Sequence, residues 1–125
     1  MSWGQYTNKL IQSNNVSHAA IFGFDGVKWD ANGKFDVTTA EAKVLINGFK
    51  DLDVIRKGGI VVAGTKYFAV SCTGTILQGK RDQTGIIVTL STKAMLIAVY
   101  QEPMTHGLCA SAVLSMAQDL KNKGF

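Results

Sequence analysis

The chain is short of proline, cysteine, acidic residues and long apolar runs, and each shortage excludes something. Pro103 is the only proline in 125 residues, and no proline-rich linker, internal repeat or low-complexity segment breaks the chain. Cys72 and Cys109 are the only cysteines; 37 positions apart, they make no metal site by spacing. No apolar stretch reaches the ~20 residues that cross a bilayer. The longest, Ala94 to Tyr100, suits a buried strand. No charged start followed by an apolar signal region is present, so a cytosolic protein with two reduced thiols is expected. Enzyme signatures are missing too: no phosphate-cradling glycine loop, no zinc spacing, no nucleophile elbow. His18 falls in a strand and His106 at a helix start, neither with a sequence neighbour that makes a dyad. Both read as structural, and neither catalysis nor a cofactor is expected.

What is present points to one folded domain, residues 1–125. Hydrophobic residues make up 46% and charged residues 18%, which favours a globule over disorder. Glycines fall mostly between apolar runs, as turns require. Residues 2–12 predict an amphipathic helix, with Ser2 as its cap and Trp3, Tyr6, Leu10 and Ile11 at helical spacing. A strand over 18–24 follows, then an Asp25-Gly26 hairpin turn and a return strand over 27–30 that carries Trp29. Asn32-Gly33 marks the next turn. Thr38 or Thr39 can cap a helix over about 40–50, and a shorter turn of helix covers Asp53 to Arg56. Short β-rich runs at 60–63, 66–72, 75–80, 86–90 and 93–100 then describe an antiparallel meander. Beyond Glu102-Pro103, Thr105 can cap a final helix to about Lys123, stopped by Gly124. The expected fold is α+β: a central antiparallel sheet with the terminal helices packed together on one face and the shorter helices on the other.

Two features suggest binding surfaces. Trp3 and Tyr6, three apart on a helix, share a face. They form either an aromatic recognition ledge or the inner side of a docked terminal helix. Charge is uneven as well. The net charge is +4, but residues 54–101 hold six basic residues (Arg56, Lys57, Lys66, Lys80, Arg81, Lys93) against Asp82 alone. Such a basic section suits either an acidic partner or a solvated sheet face. Nucleic acid is disfavoured, because Trp3, Tyr6 and Trp29 lie outside the basic section rather than interleaved with it.

Several segments, in order, resemble the profilin family along the whole chain. They are the Ser2-Trp3-Gly4-Gln5-Tyr6 opening, Ala19-Ala20-Ile21 with Asp25-Gly26 and Trp29, Gly64-Thr65-Lys66-Tyr67, Gln78-Gly79-Lys80, Thr92-Lys93-Ala94 and the Gly124-Phe125 ending. The chain is most similar to the short profilins of protists and plants. The resemblance implies a cytoplasmic, cytoskeleton-associated protein, expected to be a monomer, that binds monomeric actin on one face and proline-rich segments on another. Acidic phosphoinositide lipids are a third ligand class of the family. By position, the proline-rich site would comprise Trp3, Tyr6, Trp29, Leu120 and Phe125. Actin contacts would come from Lys66, Lys80, Arg81 and Lys93, with Thr105, Gly107, Ala110, Ser111 and Ser115 along the final helix. Lys66, Lys80, Arg81 and Lys93 would also meet phosphoinositide headgroups. The chain departs from the family pattern at Asp119, where an aromatic or histidine usually precedes the leucine. Ala110 and Ser111 are small where the family's helix is often large or polar. The alternative function is a small-molecule sensor-type module, which would need an enclosed apolar cavity between helices and sheet.

Overall fold

The computed structural model describes residues 3–32 and 35–125. Ser2, the expected helix cap, and Gly33, half of an expected turn, lie outside the described residues. Helix α1 spans Gly4–Gln12, and Trp3 stands at its cap position with no capping side-chain bond. The Trp3 carbonyl accepts the Tyr6 and Thr7 N–H groups, so the aromatic is already part of the helix start.

Strands β1 (His18–Gly23) and β2 (Lys28–Ala31) form the first hairpin. Asp25 and Gly26 do turn the chain, but inside a longer connection than a two-residue loop. The Gly23 N–H bonds the Val27 carbonyl at 2.9 Å, and the Asp25 carboxylate accepts the Val27 N–H at 3.0 Å. Thr38 caps α2 (Thr39–Gly48) in a capping box with Glu41. The same carboxylate accepts the Ala63 and Gly64 N–H groups, each at 3.0 Å. It therefore ties the start of α2 to the turn between β3 (Ile60–Val62) and β4 (Thr65–Cys72). Between α2 and β3 runs α3, Leu52–Gly58, longer than the single turn expected. Strands β5 (Ile76–Arg81), β6 (Thr84–Leu90) and β7 (Ala94–Gln101) complete the meander. Helix α4 spans His106–Asn122, and the Thr105 hydroxyl accepts the Leu108 N–H at 3.3 Å as its cap.

All pairings are antiparallel, in the order β2-β1-β7-β6-β5-β4-β3. The meander β3 to β7 is continuous in sequence. The first hairpin joins it on the outer edge of β7, with Ile21 opposite Leu96. That long-range pairing brings the N-terminal segment beside the last strand.

Alternation along the central strands builds two cores. Ala20, Phe22, Ile86, Val88, Met95, Ile97 and Val99 face Ala42, Leu45, Phe49 and Ile55 of α2 and α3. Ala19, Ile21, Ile87, Ala94, Leu96 and Ala98 face Tyr6 and Leu10 of α1 and Cys109, Val113, Met116 and Leu120 of α4. The terminal helices thus share one face and the short helices the other. Each such fully buried aliphatic side chain contributes about 1.5–3 kcal/mol.

Candidate functional site

An aromatic cluster sits where the two termini meet. Trp3 is its hub, with ring centroids 4.5 Å from Trp29, 5.1 Å from Phe125 and 5.5 Å from Tyr6. Trp3, Trp29 and Phe125 keep part of their surface open, whereas Tyr6 is 5% exposed. Three separate segments are locked to bring these rings together. Helix α1 is bound to β2 through the Thr7 hydroxyl, which donates to the Asp30 carboxylate, and through Asn8, which accepts from Asn32 at 2.7 Å. Trp29 lies edge-on against Gly23, where a side chain would meet the indole Nε1 at 3.0 Å.

Phe125 is placed by the way α4 ends. Gly124 turns into the left-handed region at φ 89°. The Phe125 N–H then bonds the Leu120 carbonyl at 2.8 Å, and the Gly124 N–H the Lys121 carbonyl at 3.1 Å. This is the Schellman closure, with Leu120 and Phe125 as its hydrophobic pair. The Phe125 carbonyl oxygen accepts from the Ser91 hydroxyl at 2.7 Å and from the Lys93 N–H. Leu120 is fully buried. It supports Phe125 from below and offers a ligand no surface, which corrects its expected role as a wall.

Asp119 and Lys123 lie at the Tyr6 end of the cluster. The Lys123 Nζ donates to the Asp119 Oδ2 at 3.2 Å and to the Tyr6 Oη at 3.3 Å. It stands 5.4 Å from the Tyr6 ring centroid. The Tyr6 hydroxyl and then the Asp119 carboxylate hold its pKa above the ordinary lysine value.

A second surface lies on the same sheet face, beside α4. Helix α4 packs over β6 and β7, and on the same face the side chains of β4 beyond it are exposed. Lys66 and Phe68 alternate along β4, and Val70 follows where the register with β5 shifts; Phe68 is 66% and Val70 67% exposed. Lys80 pairs with Phe68 and faces the same way. On α4, Thr105, Gly107, Ser111 and Ser115 are exposed and Ala110 is half-buried. Leu108, 54% exposed, and Leu114 are further exposed apolar residues of α4. Phe68 and Val70 were missed in the sequence, which was read there for charge, and Leu114 was not singled out; Leu108, which helical spacing with Ala112, Met116 and Leu120 turns toward the sheet, is instead exposed. The signal was available: at positions 66–70, residues of both parities are bulky or apolar, yet only one parity has a helix over it.

The start of α4 is latched to β5. The Tyr100 hydroxyl meets His106 Nδ1 at 2.8 Å, and His106 Nε2 meets the Gln78 Oε1. Because Gln78 Oε1 can only accept, Nε2 carries the proton and Nδ1 accepts from Tyr100. Burial, then the Lys80 charge, pushes the His106 pKa down and favours this neutral form. Tyr100 lies directly over Gly85, where a Cβ would fall 2.2 Å from its hydroxyl. Both histidines are thus placed structurally: His106 is hydrogen-bonded on both nitrogens, and His18 stacks 5.6 Å from Phe35. Burial pushes the Cys109 thiol up to about 12, so it stays protonated.

The basic residues do not converge. Lys66 and Lys80 share the face beside α4. Arg81 follows Lys80 and points to the opposite face, where its guanidinium donates to the Lys66 carbonyl at 3.1 Å near Tyr67. Lys93 lies in the β6–β7 turn, at the far end of the sheet from Arg81 and beside Phe125. The single basic surface expected from composition is therefore split in three. Among the described residues, no helix is long and apolar enough to cross a membrane, and no group of His, Cys, Asp and Glu could hold a metal.

Comparison with known proteins returns one family. The family model for profilin matches residues 1–125. Profilin-2 of Acanthamoeba castellanii is 36% identical over 126 aligned positions, covering 100% of both chains. Drosophila melanogaster profilin is 32% identical over the same span, again covering 100% of both. The solved structure of Acanthamoeba castellanii profilin IB superposes with a TM-score of 0.96 at 34% identity, covering 99% of this chain and 100% of that one. Two complexes share the fold at lower identity. Mouse profilin IIa with a double repeat from the FH1 domain of mDia1 gives a TM-score of 0.81 at 20% identity, covering 100% of each chain. The LokiProfilin1/rabbit actin complex gives 0.75 at 18%, covering 95% of this chain and 93% of that one.

Proposed function

The chain belongs to the profilin family, whose members act by binding and not as enzymes; on that premise we propose that it binds monomeric actin and, separately, proline-rich segments. The observation that carries the reading is the Trp3 hub, with Trp29 and Phe125 stacked around it and partly open. A polyproline II helix has no donors and a preset shape, so it suits flat aromatic walls bearing N–H and O–H groups. Trp3 and Trp29 supply indole N–H groups, and Tyr6 a hydroxyl at the covered end. The fold neighbour solved with an FH1 repeat supports a ligand of this class.

For actin, the support is the bare strand face beside α4 and the fold neighbour solved with actin. Phe68 and Val70 would form the apolar centre, with Lys66 and Lys80 at the rim to set register and on-rate. Ser111, Ser115 and Gly107 would let the partner approach the helix closely. Arg81 and Lys93 leave this surface. Phosphoinositide headgroups gain no such support, because the basic residues that would hold them point three ways. The sensor-type alternative also finds none. Both sheet faces are filled by the two cores, and the cleft between α1 and α4 is open to solvent.

Tryptophan fluorescence during titration with poly-L-proline tests the groove. Saturable change is expected in the wild type, with affinity lowered by more than about tenfold in Trp3→Ala. A folded wild type with no spectral change would sink the reading. Actin-monomer binding should survive Trp3→Ala.

A further inference from the structure

At the Tyr6 end of the groove Asp119 stands where the family usually offers a ring or an imidazole, and it holds a cation beside it. Lys123, the C-cap residue of α4, lays its ammonium against the Tyr6 ring and hydroxyl. Asp119, one turn earlier on the same helix, fixes its direction. An ammonium carries three N–H donors. Tyr6 and Asp119 engage two of them, at 3.3 and 3.2 Å, on the side of the helix and the ring. The side chain is nevertheless 44% exposed, so the head is not sealed from an incoming ligand.

A proline-rich backbone presents carbonyl oxygens that no N–H of its own can satisfy. Tertiary-amide carbonyls are strong acceptors, and charge-assisted hydrogen bonds are roughly twice as strong as neutral ones. The site therefore needs donors, and a fixed cation at one end is worth more than a freely rotating one, because less side-chain freedom is lost on binding. Resting on the groove reading above, we propose that Lys123 is a binding residue of that groove: its ammonium, held by Asp119 and Tyr6, donates to a backbone carbonyl of the proline-rich ligand. Asp119 is then a positioning residue. It replaces the missing aromatic not by stacking but by aiming the lysine. The competing role for Lys123 is a mere cover over Tyr6 that a ligand must push aside.

Poly-L-proline titration of four proteins separates these roles: wild type, Lys123→Met, Lys123→Arg and Asp119→Asn. Lys123→Met keeps the apolar stem and removes the donor, so affinity should fall roughly three- to tenfold. Lys123→Arg restores donors and charge and should return to within about twofold of wild type. Asp119→Asn loosens the aim and should cost about twofold. Lys123 and Asp119 are surface residues, so thermal unfolding of all four should coincide. If Lys123→Met binds as tightly as wild type, or more tightly, the side chain is a cover and the inference is overturned. If Lys123→Arg fails to recover what Lys123→Met loses, donation is overturned as well. Should wild type itself ignore poly-L-proline, the groove reading falls, and this inference with it.

Discussion

The two ends of α4 serve two surfaces built on opposite principles. At its C-terminal end, the aromatic cluster takes residues from α1, β2 and the chain end, and hydrogen bonds close every segment. Thr7 meets Asp30, Asn8 meets Asn32, and the Phe125 carbonyl meets Ser91 and Lys93. Beside its N-terminal half, the second surface needs no such assembly. It is a strand face, Lys66 and Phe68 with Val70 at an irregularity in the register of β4, left bare because the helix is too narrow to cover it. The first surface depends on remote parts being held in place. The second depends on the sheet and on the start of α4 that His106 holds beside it. Mutations that loosen α1, β2 or the C-terminal end of α4 should therefore damage the first far more than the second.

The largest expected effect comes from removing the support under Phe125. Leu120→Ala leaves a cavity in the α1–α4 core and should destabilise the protein by about 2–5 kcal/mol. Poly-L-proline affinity should drop with it, while actin-monomer binding by the folded fraction holds; equal loss of both would erase the contrast drawn above. Next comes Gly85→Ala, which forces Tyr100 off His106 at a cost of about 1–3 kcal/mol. Here the expected asymmetry is reversed. The start of α4 loosens, so actin binding weakens and the proline-rich site is spared, as paired titrations would show.

A smaller effect sharpens the map of the second surface. Lys80→Glu should weaken actin binding roughly three- to tenfold, with a strong salt dependence of the on-rate. Arg81→Glu, on the opposite face, should change it by less than about twofold. Similar losses in the two variants would show that the partner reaches around the sheet edge. The smallest effect belongs to neither surface. Burial works to raise the Glu41 pKa, but the N–H groups of Thr38, Gly64 and Ala63 outweigh it and hold the carboxyl below its ordinary 4.5. Its contribution is therefore complete above that pH and is lost as pH falls through the lower, folded value. The Tm gap between wild type and Glu41→Gln should be open at neutral pH and close in acid. A gap that persists in acid would assign it to packing.

Local signals carried much of the architecture. Thr105 and Gly124 bound α4 because a hydroxyl cap and a left-handed glycine act within one turn. The β-rich runs from Ile60 onward read as a meander because neighbours in sequence pair in space. The pairing of β1 with β7 has no local trace, since it joins residues more than seventy positions apart. The candidate site was legible in its aromatic members and illegible in its supports. Trp3, Trp29 and Phe125 stand out by residue type. Leu120 looked like one of them, but a helix-terminal leucine is equally the inner half of a Schellman pair, and burial chose that role. The basic residues were misjudged because they were counted as charges. Adjacent residues in a strand face opposite ways, so Lys80 and Arg81 could never have shared a surface. Lys93 is carried by its turn to the far end. Lys123 escaped notice because a lysine in a last turn already has an ordinary explanation in the helix dipole.

The latch of His106 between Tyr100 and Gln78, together with the anchored Phe125, clamps α4 at both ends. A helix of 17 residues is about 25 Å long and stiff along its axis. Clamped in this way, it is a beam rather than a lever, since neither end can rotate without breaking a closed set of hydrogen bonds. A ligand seated at one end would have to break one of these sets before the helix could shift, which opposes transmission of free energy to the other end. Occupancy of the two surfaces should then be statistically independent. A protein so arranged works as a connector, holding one partner at a fixed distance and orientation from another while each obeys its own dissociation constant.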